Sequence, residues 1–167
     1  MKTCTSVIVV CILTCCFSSC TKEMSLEDVA ASVKFKSFVL DKKFQISEYY
    51  SNRPIDYNEE DSVVKSETDL FKYASSWLKD DYNTFNLFTN KVTIEQNTKK
   101  ISGNKDAIIT RDIAVGEDKS GVYFTFLDYQ YNSFTYRLVE YKEDYFILSA
   151  SWHSGATVYT KFRVVSQ

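Results

Sequence analysis

The sequence predicts an α+β fold: a curved antiparallel β-sheet, running as a meander, packed by one amphipathic helix. Three observations carry this. The second half of the chain is built from short runs of alternating apolar and polar residues between turn-forming residues. Aromatic residues make up 16%, with 12 Tyr and 12 Phe, and they suit pleated, half-buried surfaces. One stretch, 66–83, has helical spacing behind a good N-cap. A small β-barrel is the alternative, because strand patterning does not say whether a sheet closes on itself.

The elements follow in order. Ser25 and Asp28 have capping-box spacing, and Leu26, Val29, Ala30 and Val33 share one helical face. Val33, Phe35 and Val39 then alternate, which predicts a strand over 33–40. Asn52, Arg53 and Pro54 break the pattern, so 51–62 reads as a loop. Ser66 caps the main helix, with Asp69 three residues on. Leu70, Tyr73, Ala74, Trp77 and Leu78 form its apolar stripe, and it ends near 81–83. Val92 and Ile94 alternate with Thr93 and Glu95. Ser102, Gly103 and Asn104 are a turn signal. Strands are predicted over 107–115, 122–126, 134–141 and 145–151. The last strand puts Val158, Phe162 and Val164 on one side and Tyr159, Lys161 and Arg163 on the other. Short links between such strands favour a meander.

The N-terminus has a separate logic. All five cysteines lie in the first twenty residues. Lys2 precedes eleven residues, 7–17, that are apolar except Thr14. A membrane-spanning helix needs about 20 apolar residues, whereas this length after a basic start fits a secretory h-region. Phe17, Ser18, Ser19 and Cys20 close it, with Thr21, Lys22 and Glu23 following. The segment resembles the leader of bacterial lipoproteins: a large aliphatic residue, two small residues, then a cysteine that is diacylated and becomes the new N-terminus. Phe17 stands where Leu is usual, and Ser19 where Gly or Ala is usual. Lys22 and Glu23 resemble the Lys-acidic tag that takes Bacteroidota lipoproteins to the cell surface. The resemblance implies a signal peptide over 1–19, lipid on Cys20, a tether over 20–32 and one globular domain over 33–167. It implies a place in the cell envelope, at the outer membrane, on its surface or periplasmic face. A disulfide framework is disfavoured, since Cys4, Cys11, Cys15 and Cys16 leave with the leader.

Composition narrows the function. Of 20 Lys and Arg only Lys2 is in the leader, so 19 stand against 22 Asp and Glu. Without a basic cluster, nucleic-acid binding is disfavoured. No phosphate-cradling glycine loop supports nucleotide binding. His153 is the only histidine, and its neighbour Ser154 points away from it on an extended chain, so the two are no catalytic pair. Asp56, Asn58, Glu60, Ser62 and Glu67 echo a calcium loop, with oxygens at positions 1, 3, 5 and 7 and Glu at 12. Asp61 stands where that loop needs Gly, and a solvated acidic loop explains the same residues. Carboxylates such as Asp128 and Glu140 are plentiful, but no spacing selects an acid–base pair. Tyr129, Tyr131, Tyr136, Tyr141 and Tyr159, with Trp152, are candidates for an aromatic platform. Ordinary cross-strand pairing would use the tyrosines equally well.

The sequence therefore predicts a lipid-anchored, non-enzymatic binding module without cofactor or metal, engaging a protein or a glycan. A toxin-immunity role would use the acidic stretch 56–61 against a basic partner. The alternatives are a carrier of small apolar ligands inside a closed barrel and an envelope hydrolase working through carboxylates.

Overall fold

The computed structural model describes residues 30–59, 62–74, 76–97, 108–127, 133–152 and 154–165. The strands are β1 (Lys43–Glu59), β2 (Ser62–Asp69), β3 (Tyr82–Asn86), β4 (Lys91–Glu95), β5 (Ile108–Asp118), β6 (Gly121–Leu127), β7 (Ser133–Lys142), β8 (Tyr145–Ser151) and β9 (Thr157–Val164). Two α-helices, α1 (Ala31–Val39) and α2 (Ser76–Asp80), and a 3-10 turn at Phe71–Tyr73 complete it. Every pairing is antiparallel. The sheet order is β2-β1-β3-β4-β5-β6-β7-β8-β9, and β1 also pairs with β9. The meander thus closes into an eight-stranded barrel, with β2 added to β1 outside the ring. Closure covers most of the strand edges in the ring that would invite aggregation, an exception being residues 46–49 of β1 on the side between β3 and β2.

Side chains alternate across the wall. Phe44, Phe85, Val92, Ile113, Val122, Phe124, Phe146, Leu148 and Phe162 point inward and are buried. Eight strands enclose a space that side chains can fill, and here rings fill it. Phe146 stacks on Phe162 at 4.8 Å, and Phe85 meets Phe162 edge-on at 5.5 Å. α1 plugs one end. Its Phe35 is 1% exposed and meets Phe124 and Phe146 edge-on at 5.4 and 5.3 Å. Each such pair adds about 0.5–1.5 kcal/mol beyond area burial.

Strand direction gives the barrel two unlike ends. β1 starts at the α1 end, and the turns 87–90, 119–120 and 143–144 close there. Gly121, at φ +105°, closes the 119–120 turn, where a side chain would strain the backbone. The other end holds the connections β4–β5, β6–β7 and β8–β9 and the continuation of β1 into β2. A second core lies there. Ile55, Leu70, Ala156 and Val158 are buried in it, packed by Tyr49, Tyr73 and Trp152.

Three expectations are corrected. The expected strand 33–40 is helix through Val39, because Phe35, Phe38 and Val39 have i, i+3, i+4 spacing that one helix face can bury. Residues 51–59 are strand: β1 continues past Pro54 because the register shifts between Tyr50 and Ile55, where an imino residue costs no ladder bond. The long helix from Ser66 does not form. Ser66 lies in β2 at φ +57°. Asp69 ends β2 instead, and its Oδ1 accepts Lys72 N–H at 3.3 Å beside the 3-10 turn. Leu70 and Ala74 are buried as the apolar stripe required. The helix that packs the sheet is therefore α1. Residues 26–29 of the first expected helical face lie outside the described residues.

Candidate functional site

The outer wall of β1, β9, β8, β7 and β6 is the most elaborated surface described. Since Phe146, Leu148 and Phe162 face inward, their neighbours face out. Register aligns them in rows. One row runs Tyr50, Tyr159, Ser149, Arg137, Tyr123, Gly116. The next runs Glu48, Lys161, Ile147, Glu140, and the third Gln45, Arg163, Tyr145, Lys142.

The rows are wired together. Tyr50 and Tyr159 stack at 5.1 Å with 14° between planes. Lys161 Nζ is 2.7 Å from Glu48 Oε1 and lies over the Tyr145 ring at 4.6 Å. Tyr145 Oη donates to Glu140 Oε1 at 2.8 Å. These long side chains cover Ile147, which faces out yet is 9% exposed. Arg137 holds Asp118 through two bonds of 2.9 and 2.8 Å. Burial, and then the Glu48 carboxylate, push the Tyr50 hydroxyl above its ordinary pKa, so it remains a donor at neutral pH.

Beside Tyr50 the wall opens. Residues 46–49 of β1 pair with β9 on one edge, but on the other β3 ends at Gln45 and β2 begins at Tyr50. The 3-10 turn and α2 border this gap. It forms a trough of two cavities that share Ser47 and Phe71. One, of about 360 Å³, is lined also by Glu48, Tyr49, Tyr50 and Asp69. The other, of about 410 Å³, is lined also by Gln45, Ile46, Lys79 and Arg163. The trough is thus acidic at one end, basic at the other and apolar at Phe71.

The sequence-selected residues separate. Tyr159 is in the outer row. Tyr136 points the other way: it meets Phe126 edge-on at 5.3 Å, and burial raises its pKa. Tyr141 packs on Phe35 and Phe38 at 5.3 and 5.0 Å. Trp152 belongs to the second core. A platform joining Tyr136, Trp152 and Tyr159 is therefore not assembled, because alternation sends them to different surfaces. Tyr129, Tyr131, His153 and Cys20 lie outside the described residues.

The calcium candidates also part. Ile55 is opposite Glu67 across the β1–β2 hairpin, so Asp56 and Glu67 face opposite sides of it. Asp56 Oδ1 accepts Ser66 N–H at 3.2 Å, and Glu67 Oε1 accepts Tyr73 Oη–H at 3.1 Å. Glu60 and the Asn58 side chain lie outside the described residues. Among the described residues no group of three His, Cys, Asp or Glu could hold a metal.

Sequence reasoning missed Tyr50, Phe71, Lys79 and Arg137. The signal for Tyr50 was present: Phe44 and Ile46 alternate with polar neighbours before Tyr49 and Tyr50. Comparison with protein-family models, with curated proteins and with solved structures returns no match. Among the described residues no helix is long and apolar enough to cross a membrane.

Proposed function

We propose that the chain is a lipid-anchored binding module of the bacterial cell envelope that grips a segment of a partner protein in the trough along β1. The observation carrying this reading is the Tyr50–Tyr159 stack at the rim of a groove with opposite charges at its two ends. Tyr supplies large contact area with a polar tip, as protein interfaces favour. Asp69 suits a cationic side chain, Glu48 being paired with Lys161, and Lys79 and Arg163 suit an anionic one. That polarity favours a peptide over a neutral glycan and would fix its direction. A secreted toxin is one partner of this kind. Anchorage rests on the leader ending at Cys20.

Several of the described carboxylates are already engaged. Asp118 serves Arg137, Glu48 serves Lys161, Glu140 serves Tyr145 and Asp81 serves Asn97 N–H. A carrier role gains nothing from the interior, which aromatic rings occupy.

A photo-crosslinking residue in place of Tyr159 should capture one envelope protein in living cells. Tyr50→Ala and Arg163→Glu should each abolish capture without changing the melting temperature by more than a few degrees. Equal capture from a probe at Thr110, on the outer face of β5, or no capture at either position, would remove this reading.

A further inference from the structure

We infer that the outer face of α1 is a membrane-contact surface, and that the barrel stands on an anionic lipid bilayer by its helix-plugged end. This rests on the lipid-anchor reading of Cys20.

α1 buries Phe35 and Val39 in the barrel. At 3.6 residues per turn the opposite side carries Val33 and Leu40, seven residues apart and so nearly aligned. They are 42% and 37% exposed. Lys34 and Lys36 flank that stripe, one on each side, and α1 contains no acid. Lys42 follows, with its Nζ 4.0 Å over the Phe38 ring. An apolar stripe between lysines is the pattern of a helix lying in a bilayer interface, with alkyl stems directed toward lipid and ammonium groups toward headgroup phosphates.

Topology extends the surface. The turn 87–90 is at the same end, and its Phe88 is 54% exposed. α1 packs against β3, β5 and β6, so it is fixed to the barrel rather than hanging from it. Ser32 N–H donates to Glu117 Oε2 at 3.1 Å, which ties that carboxylate, still ionised, to the helix start. The other acids of this end include Asp41, the Glu143–Asp144 turn and Asp118, the last paired with Arg137.

Chain length supplies the second argument. Nine residues lie between Cys20 and Ala30, where the described chain begins, making ten steps along the chain. At most about 3.6 Å per residue, they span roughly 35 Å. The chain enters the domain at the α1 end, so that end is the one joined most directly to the anchor. The Tyr50 flank then stands upright beside the bilayer, and the β1–β2 hairpin projects away from it.

The test uses full-length lipidated protein in vesicles containing brominated acyl chains. Fluorophores are attached at Ser37→Cys, on the exposed side of α1, and at Ser154→Cys, at the far end. On anionic vesicles the label at 37 should be quenched several-fold more than the label at 154. Lys34→Glu with Lys36→Glu, or about 1 M salt, where screening acts within about 3 Å, should shrink that difference. Equal quenching at both positions overturns the inference. So does a difference that is as large on neutral vesicles and unmoved by charge reversal. Flotation with neutral vesicles reports the anchor separately. A chain that floats without asymmetric quenching defeats the α1 surface alone, and a chain that never floats defeats both.

Discussion

The two ends of the barrel solve the same problem in opposite ways. At the α1 end every connection is short, and a helix drives Phe35, Phe38 and Val39 into the opening, where rings pack on rings. At the other end β1 outruns β9 and recruits β2. The opening is covered by a smaller cluster of Ile55, Leu70, Ala156 and Val158, with polar Ser51 buried at its edge. Ser51 Oγ donates to Arg53 O at 2.7 Å to satisfy that burial. The difference teaches where stability and variability are placed. The plugged end completes the main core, so it opens only when the molecule unfolds. The hairpin end has its own small core, so it can open locally.

Removing the plug should have the largest effect. Phe35→Ala deletes a fully buried ring and should cost about 3–5 kcal/mol in denaturant unfolding. Protection of barrel amides against hydrogen exchange should fall everywhere by the same amount. A loss under about 1 kcal/mol would mean that α1 is an accessory and the contrast is false.

Leu70→Ala is the counterpart at the other end. It removes a side chain 0% exposed from the smaller cluster, and should cost about 2–3 kcal/mol, the low side for such a change. Exchange should accelerate in the β1–β2 hairpin well before it does in β5 to β8. Uniform acceleration would merge the two cores into one cooperative unit.

The same division explains what the sequence disclosed. β4 to β9 were legible because their residues alternate and, from β5 on, their connections are short: Val122, Phe124 and Phe126 mark one face of a strand. Closure was not legible, since it depends on β1 meeting β9, residues such as Ile46 and Phe162 that are far apart in sequence. The first half misled for local reasons. Phe35 and Val39 fit both periods, and only packing into the barrel mouth decides for the helix. Pro54 signals a loop unless a bulge receives it. Ser66 and Asp69 satisfy a capping rule, yet pairing of 62–69 with β1 outweighs the helix propensity that follows. The candidate site shared this fate, because Tyr50 and Phe71 lie in that half. Tyr159 was found, but its partner was not, as cross-strand neighbours are invisible without register.

A smaller effect tests the outer wall that joins the ends. A Cβ on Gly116 would lie 2.4 Å from the Tyr123 ring. Elsewhere in a strand, Gly→Ala gains about 0.5–1 kcal/mol. Here the ring must swing off its place beneath Arg137, so Gly116→Ala should cost about 1 kcal/mol. Combined with Tyr123→Ala, the same change should become stabilising. A double-mutant cycle measures that reversal of sign, and additive effects would show that the ring does not need the glycine.

The smallest effect comes from two carboxylates, one at each end. Asp118 closes the β5–β6 turn at the plugged end. Its hydrogen bonds from Arg137, then from Ser120 N–H, hold its pKa below the ordinary 3.8. Asp81 precedes β3 at the other end. Burial pushes its pKa up, against the opposing bond from Asn97 N–H. The signs are opposite. Asp118 contributes stability above its unfolded pKa, which is lost as pH falls through its lower folded value. Asp81 contributes stability below its unfolded pKa, which is lost as pH rises through its higher folded value. At pH 7, Asp118→Asn should therefore lower the melting temperature slightly. Asp81→Asn should raise it slightly, because the amide oxygen still accepts Asn97 N–H while the buried charge is gone. As pH falls, the Asp81 difference should vanish first, once pH is below its unfolded pKa, whereas the Asp118 difference should persist until pH has passed below its lowered folded pKa. If both substitutions shifted the melting temperature the same way at pH 7, the opposite electrostatics of the two ends would be refuted, and the contrast between them would be one of packing alone.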